Sequence, residues 1–80
     1  MKNVKLEKIL IQDDFVKHPP NDFKVRKKRS HLIRTGNFAS PVTAKPVKSG
    51  WRTMYILTDG YITWLLAKEF GHRKVPLRVS

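Results

Sequence analysis

The stretch from Tyr55 to Gly71 constrains the fold most, because it predicts a buried strand that turns directly into a helix. Residues 54–57 are apolar or aromatic and suit a buried strand. Asp59-Gly60 is a turn signal, and the side chain of Asp59 or Thr58 is suited to cap the first turn of the following helix. Gly71 stands where a left-handed residue commonly ends a helix. We therefore expect a strand, a tight turn and a helix in direct succession.

A junction of this kind favours an anion, since several backbone N–H groups and the positive end of the helix dipole point toward one place. The alternative is that Asp59-Gly60 is only a tight turn, as short glycine-containing turns commonly are. The local sequence by itself favours the second interpretation.

Length and composition exclude several classes of protein. Eighty residues predict one domain, residues 1–80, with a single modest core. The sequence has no cysteine, and the spacing of its three histidines matches no zinc motif. No apolar run approaches the roughly 20 residues of a membrane span, and the N-terminus lacks the apolar core of a signal peptide. A cytoplasmic protein without a membrane partner is expected.

The charge balance predicts a polyanionic partner. Seventeen Lys and Arg residues against six Asp and Glu residues give a net charge of +11. Such an excess on a small domain favours nucleic acid or another phosphate-bearing partner. General solubility rarely requires so large a bias.

The first predicted helix, Asp22–Thr35, carries much of this charge and ends before Gly36. Asn21 or Asp22 is its expected N-cap. Between Phe23 and Thr35 there is no acidic residue, so salt bridges within the helix cannot offset the repulsion. A functional basic surface is favoured here over a merely solvated face. Its expected nucleic-acid-binding residues are Lys24, Arg26, Lys27, Lys28, Arg29 and Arg34.

Alternating segments predict the rest of the fold. Four strands are expected, at Val4–Ile11, Val42–Val47, Trp51–Leu57 and Lys74–Val79. The alternation of the first slips at residues 8–10, where an end or a bulge of the strand is the alternative. Pro76 indicates an edge strand or pairing on only one side, and Phe15 and Val16 are expected to enter the core from an irregular segment. With the helices Asp22–Thr35 and Tyr61–Phe70, the pattern predicts an α/β (α+β) fold with a small mixed sheet and two main helices. The expected core is Val4, Leu6, Ile9, Phe15, Val25, Leu32, Val42, Tyr55, Leu57, Leu65, Ala67, Val75 and Leu77.

Several segments in a fixed order carry a resemblance over nearly the whole chain. They are the opening strand 4–9, the helix end and loop 35–42, the strand and turn 55–61, the helix end 67–71 and the closing strand 74–79. In order and spacing they resemble the N-terminal ParB-like domain of the ParB/sulfiredoxin superfamily. Small stand-alone members with an Asp-Gly-Tyr turn are the most similar, which suggests a bacterial or phage origin.

The resemblance implies a phosphate or nucleotide pocket between the loop that runs from a glycine to a proline and the glycine turn. Carried over, its residues are Gly36, Ser40, Pro41, Asp59, Gly60, Tyr61 and Thr63. Ser40 stands where ParB usually has a glutamine. The chain departs from the superfamily after the turn glycine, where ParB has an acidic residue and two phosphate-binding arginines. Here those positions hold Tyr61, Ile62 and Thr63, which cannot form the bidentate phosphate contact of arginine.

Sulfiredoxin has its catalytic cysteine at the position of Tyr61, so sulfiredoxin chemistry is excluded. We therefore expect no catalytic residue, no cofactor, no metal site and no nucleotide hydrolysis. The favoured function is a small basic ParB-like domain that binds DNA or RNA. Further cations widen its basic surface, at Lys45, Lys48, Arg52, Arg73, Lys74 and Arg78.

Three questions stay open from the sequence. Trp51 either stacks on a base or packs at the edge of the core, and the second interpretation is favoured. The chain is alternatively a nucleotide- or phosphate-binding enzyme of the superfamily. A third possibility is a phage or mobile-element adaptor that binds an acidic protein.

Overall fold

Five strands form one mixed sheet in the order β1-β5-β3-β4-β2 in a computed structural model, which describes residues 2–80. The strands are β1 Lys2–Lys5, β2 Ile9–Leu10, β3 Val42–Ser49, β4 Arg52–Asp59 and β5 Lys74–Val79. The helices are α1 Asp13–Lys17, α2 Asp22–Thr35 and α3 Tyr61–Glu69. The expected fold class is confirmed, and the short helix α1 is an addition to it.

The β3–β4 hairpin occupies the middle of the sheet. Its strands are antiparallel and close around the two-residue turn Gly50-Trp51, with Ser49 paired to Arg52. Both strands extend two residues beyond their expected C-terminal ends. β5 lies between β1 and β3, so the expectation of an edge strand there is wrong. The alternative, that this strand pairs on only one side, is wrong as well, although Pro76 itself has a register partner only in β1.

The expected first strand, Val4–Ile11, is wrong, because this segment forms two strands at opposite edges of the sheet. β1 runs antiparallel to β5, whereas β2 runs parallel to β4, and a 3₁₀ helix at Leu6–Lys8 connects them. Val4 and Ile9 are five positions apart, so a continuous strand would point them to opposite faces. Because the 3₁₀ helix interrupts the strand, Val4 and Ile9 can point to the same side, and both side chains are buried in the same core.

The connection between β1 and β2 requires a strongly curved sheet. Four residue steps from Lys5 to Ile9 span at most about 14 Å. In a flat sheet of five strands the outer two would lie about 19 Å apart. Consistent with this curvature, the Lys2 ammonium of β1 lies 5.3 Å from the centre of the Tyr55 ring in β4. We call the gap between β1 and β4, lined by Lys2, Lys5, Lys8 and Thr53, the seam.

The core lies between the curved sheet and α3, while a smaller buried contact joins α2 to α3. The main cluster is Val4, Ile9, Val42, Ala44, Tyr55, Leu57, Ala67, Val75 and Leu77. Leu32 and Leu66 are buried outside it. Of the other expected core residues, Leu6, Phe15, Val25 and Leu65 are only half-buried.

Val16 is 64% exposed, so its assignment to the core is wrong. Phe15 and Val16 belong to the five-residue helix α1 rather than to an irregular segment. Neighbouring residues of a helix point about 100° apart, so only one of the two can face the core. Phe15 does so, and its ring lies 5.4 Å from that of Tyr61.

The helix ends follow the sequence signals except at the start of α3. The Asn21 side chain accepts the Phe23 N–H at 2.8 Å, and Gly36 ends α2 in a left-handed conformation. After α3, Gly71 and His72 donate their N–H groups to carbonyls of its last turn, which is a Schellman motif. None of the helices in residues 2–80 combines the length and apolar composition needed to span a membrane.

Candidate functional site

The strand-to-helix junction after β4 is built on a close backbone contact. Gly60 separates β4 from α3 and has a φ of +84°. A Cβ atom added at Gly60 would lie 2.8 Å from the Val42 Cα and 2.9 Å from the Pro41 carbonyl oxygen. The turn therefore packs directly against the end of the 36–41 loop, and the two segments adjoin as the resemblance to ParB implied.

Neither side chain expected to cap α3 does so, and this expectation is wrong. Asp59 accepts the N–H of its neighbour Gly60 at 2.8 Å, and the Thr58 hydroxyl donates to the Thr43 carbonyl at 3.1 Å. The left-handed Gly60 occupies the N-cap position itself and has no side chain with which to accept a hydrogen bond. The first N–H groups of α3 are thus left without a side-chain cap.

Thr63 connects α3 to the loop from inside. Its side chain is only 2% exposed, and its hydroxyl donates to the Ser40 carbonyl at 3.0 Å. A hydroxyl that is buried and already bonded is not free for a ligand. Thr63 therefore positions the loop rather than contacting what binds there.

A cation of α2 reaches the same loop. The Lys28 ammonium donates to the Ser40 hydroxyl at 3.2 Å and is partly buried by this contact. Ser40 thus contacts a positive charge through its hydroxyl and the first turn of α3 through its carbonyl. The uncapped N–H groups and dipole of α3 add positive potential. This arrangement suits an anion such as phosphate.

A groove of about 520 Å³ lies along the loop, but it contains only part of the expected pocket. Gly36, Ser40 and Pro41 line it together with residues of β1 and β5 and with His72. Asp59, Gly60, Tyr61 and Thr63 are not among its lining residues. The structure brings Pro41 against Gly60 and Ser40 against Thr63, but the seven residues do not share one cavity. Phosphate binding at this place stays a prediction.

Solved structures with the same architecture extend over practically the whole chain. Sulfiredoxin from Arabidopsis thaliana superposes with a TM-score of 0.73 at 18% identity, covering 99% of this chain and 82% of that chain. This chain has a ParB/sulfiredoxin-like fold. No protein-family model matches the sequence, and no curated protein matches it.

Two further proteins share the ParB/sulfiredoxin-like fold and contain ligands. Truncated ParB from Caulobacter crescentus, complexed with CTP-γ-S, has a TM-score of 0.71 at 16% identity. The match covers 99% of this chain and 43% of the ParB chain. A free serine kinase in complex with AMP has the same TM-score and identity. The match covers 99% of this chain and 30% of the kinase chain. The chain therefore spans less than half the length of either protein.

The aromatic side chain at the ParB-like turn has a packing role. The Tyr61 ring stacks on Trp64 at 5.9 Å and contacts Phe15 on its other side. Tyr61 can therefore offer a ligand its backbone N–H group, but its ring is held by neighbours.

Arg29 has a partner that the sequence reasoning missed. Its Nε and Nη2 atoms each donate to a carboxylate oxygen of Glu69 at 2.9 Å, which forms a bidentate pair between α2 and α3. Hydrogen bonding to Arg29 lowers the pKa of the Glu69 carboxyl. Only partners within α2 were considered from the sequence, whereas Glu69 lies forty residues further along. Arg29 is thus engaged and does not belong to the free basic surface.

Four of the six expected nucleic-acid-binding residues share the solvent side of α2. Each helical residue turns by about 100°, which places Lys28 and Arg29 on the two flanks of the buried Leu32 stripe. The other four, which we call the outer face of α2, are all exposed: Lys24, Arg26, Lys27 and Arg34. Within residues 2–80, Arg29–Glu69 is the single salt bridge of the seventeen Lys and Arg residues.

The remaining basic residues and Trp51 are also at the surface. Trp51 is 90% exposed, so its favoured interpretation as an edge-of-core residue is wrong. The expected additional cations are all exposed: Lys45, Lys48, Arg52, Arg73, Lys74 and Arg78. Residues 2–80 contain no cluster of three His, Cys, Asp or Glu side chains that would suit a metal ion.

Placing an arginine at this position, as Thr63→Arg, should destabilise the fold without creating a phosphate site. The side chain at this position is enclosed, so a long cation is both overpacked and desolvated, at a cost of about 2–3 kcal/mol. Thr63→Val has nearly the original shape and loses only the hydrogen bond, at about 1 kcal/mol. Urea denaturation measures both. A Thr63→Arg protein as stable as the parent that also gains pyrophosphate binding would contradict this prediction.

Proposed function

We propose that this protein is a non-catalytic nucleic-acid-binding module that docks the outer face of α2 on the phosphate backbone of DNA or RNA. The observation that carries the proposal is the unpaired charge on this helix. Lys24, Arg26, Lys27 and Arg34 are exposed, and none has an acidic partner within residues 2–80. Their mutual repulsion costs stability, and a polyanion that neutralises them removes this cost.

The form of the surface supports contacts to phosphate rather than to bases. A helix of 14 residues is about 21 Å long, and each of its exposed Lys and Arg side chains is flexible and carries one positive charge. Lys and Arg contacts to phosphate position a protein on nucleic acid but carry no sequence information. We therefore propose binding that depends little on sequence.

The local chemistry of the junction supports the non-catalytic part of the proposal. Thr63 is buried and bonded to the loop, and Asp59 accepts a backbone N–H. Neither side chain takes the place of the arginines that bind phosphates in ParB. The sequence also has no cysteine to act as the sulfiredoxin nucleophile.

A second candidate is binding of a nucleotide or a free phosphate group at the junction. The Lys28–Ser40 contact beside the start of α3 favours it, because a cation and uncapped N–H groups adjoin there. The CTP-γ-S and AMP of the structural neighbours are consistent with it. Lys28→Ala should weaken such binding and leave nucleic-acid docking on the outer face of α2 nearly unchanged.

A salt series on duplex DNA tests the main proposal. Each neutralised phosphate contributes about 0.9 to the slope of log affinity against log salt. Four contacts from the outer face of α2 predict a slope of about −3.6 between roughly 50 and 200 mM salt. Fluorescence anisotropy of a labelled duplex measures it. Absent binding at low salt, or a slope near zero, would overturn the proposal and direct attention to an acidic protein partner.

A further inference from the structure

Trp51 has a large apolar side chain but lies in an exposed place. It lies in the two-residue turn of the β3–β4 hairpin, which the Ser49–Arg52 pair holds in register. Of the large hydrophobic residues exposed in residues 2–80, Trp51 is the most exposed. The Arg52 guanidinium lies 5.4 Å from the ring centre, which leaves the opposite ring face to solvent. The indole is thus presented to solvent at the tip of the hairpin, outside the core.

Cations lead from Trp51 along the seam. A cleft of about 700 Å³ is lined by Trp51 and Arg52 on the hairpin, by Lys5 at the end of β1 and by Lys8 in the 3₁₀ helix. A neighbouring cleft of about 280 Å³ shares the two lysines and continues to Lys2 and Lys74. Among the lining side chains of the two clefts, Glu7 is the single acid. A positive track with an aromatic residue at its end therefore follows the gap in the sheet.

We infer that the seam and Trp51 form a second nucleic-acid surface, specific for single strands, in which Trp51 stacks on an unpaired base. The inference rests on the proposed nucleic-acid binding for its class of partner. A positively charged groove with an exposed aromatic side chain is the combination that binds single-stranded nucleic acid without sequence preference. In a duplex, both faces of each internal base are covered by its neighbours, so Trp51 has no base face to meet.

The Trp51 end of the seam lies far from the loop that α2 contacts. The loop that Lys28 contacts precedes Val42, at one end of β3, and Trp51 follows Ser49 at the other end. Seven residue steps of a strand span about 23 Å. Trp51 is therefore remote from this loop, whereas Lys74 at the other end of the seam also lines the groove along the loop.

A membrane surface is less well suited to this tip. Interfacial anchors combine aromatic residues with a broad apolar face. Here Trp51 is flanked by Ser49, Gly50 and Arg52, and the residues that continue the surface are lysines. The chemistry around the indole matches a phosphate backbone better than acyl chains.

Trp51 fluorescence provides a direct test. In a Trp64→Phe background Trp51 is the sole tryptophan, and this change removes an indole N–H that is buried without an acceptor. Titration with a single-stranded oligothymidine of about ten nucleotides should quench the emission. Trp51→Ala should weaken oligothymidine binding by about 5- to 100-fold in an anisotropy assay. Trp51→Phe, which keeps a ring, should lose less.

Phe23→Ala is the matched control. Phe23 is also an exposed aromatic residue, 69% exposed, with the Lys27 ammonium 5.7 Å from its ring centre. It lies on α2 beside Lys27 and outside the seam, so its loss should weaken oligothymidine binding clearly less than Trp51→Ala does. Equal losses for the two alanine variants would contradict a specific role of Trp51.

The inference is overturned if Trp51→Ala binds oligothymidine as tightly as the protein that keeps Trp51. It is also overturned if oligothymidine does not quench Trp51 in the Trp64→Phe protein. It is also overturned if Trp51 responds to phosphatidylserine vesicles and not to the oligonucleotide. A failure of the proposed function can be told apart from a failure of this inference. If a charge reversal on the outer face of α2 leaves duplex binding intact, only the proposed docking by α2 is refuted. A parent protein that binds neither duplex nor oligothymidine refutes both.

Discussion

Reversing three charges on α2, as Lys24→Glu, Lys27→Glu and Arg34→Glu, should weaken binding to duplex DNA by at least about a hundredfold at low salt. Each phosphate contact contributes roughly 1–1.5 kcal/mol, and the new carboxylates repel the backbone as well. The slope of log affinity against log salt should flatten by about 0.9 for each lost contact. Lys28 and Arg29 are left unchanged because Ser40 and Glu69 already engage them.

A second triple variant with the same net charge separates docking from general attraction. Lys17→Glu, Lys45→Glu and Arg78→Glu change exposed residues on α1, β3 and β5, away from the outer face of α2 and from the seam. We expect this control to lose less than about tenfold, through long-range charge alone. Equal losses in both triple variants would mean that net charge determines binding. Unchanged binding of the α2 variant would mean that its basic face is only solvated.

Gly60→Ala should lower the free energy of unfolding by about 3 kcal/mol or more. An L-residue in the left-handed conformation costs roughly 1–2 kcal/mol. The added Cβ also meets two backbone atoms at 2.8 and 2.9 Å, which cannot move without disturbing the start of β3. For a chain of this size the total stability is about 4–12 kcal/mol. Thermal denaturation should show a decrease in Tm of about 12 °C or more.

Gly36→Ala and Gly50→Ala are matched controls for this effect. Both glycines have similar φ values, +75° and +66°, but an added Cβ meets nothing within 4 Å. Each should therefore cost only the conformational term, about 1–2 kcal/mol. If all three variants had the same Tm, the contact between the turn and the loop would have no energetic importance.

The parts of the fold that the sequence predicted correctly depend on local signals. Asn21 caps α2, Gly36 ends it, and β4 passes into α3 through Gly60, because each of these choices is made by residues adjacent in the chain. The slip in the alternation at residues 8–10 indicated an interruption of the first strand, but not that its two parts lie at opposite edges of the sheet. β1 and β2 are separated by only three residues, and their edges are set by β5 and β4, which come much later in the sequence.

The site shows the same limit. The adjacency of the 36–41 loop and the turn was expected from the order of the motifs, whereas the roles of single side chains depended on distant partners. Arg29 forms an ion pair with Glu69 and so does not belong to the free basic surface. Ser40 accepts hydrogen bonds from the side chains of Lys28 and Thr63. For Trp51 a local signal existed, since a Gly-Trp pair at the tip of a hairpin has little to pack against.

The short link between the outer strands also bears on aggregation. A long free edge offers a row of unpaired N–H and C=O groups to which strands of other molecules can add. Here β2 has two residues, and β1 has four, of which Lys2 and Lys5 are exposed. The curvature imposed by the 3₁₀ helix turns these two edges toward each other. The 3₁₀ helix that connects β1 to β2 therefore leaves neither edge suited to pair with a strand of another copy. The same connection leaves the seam open for the proposed single strand.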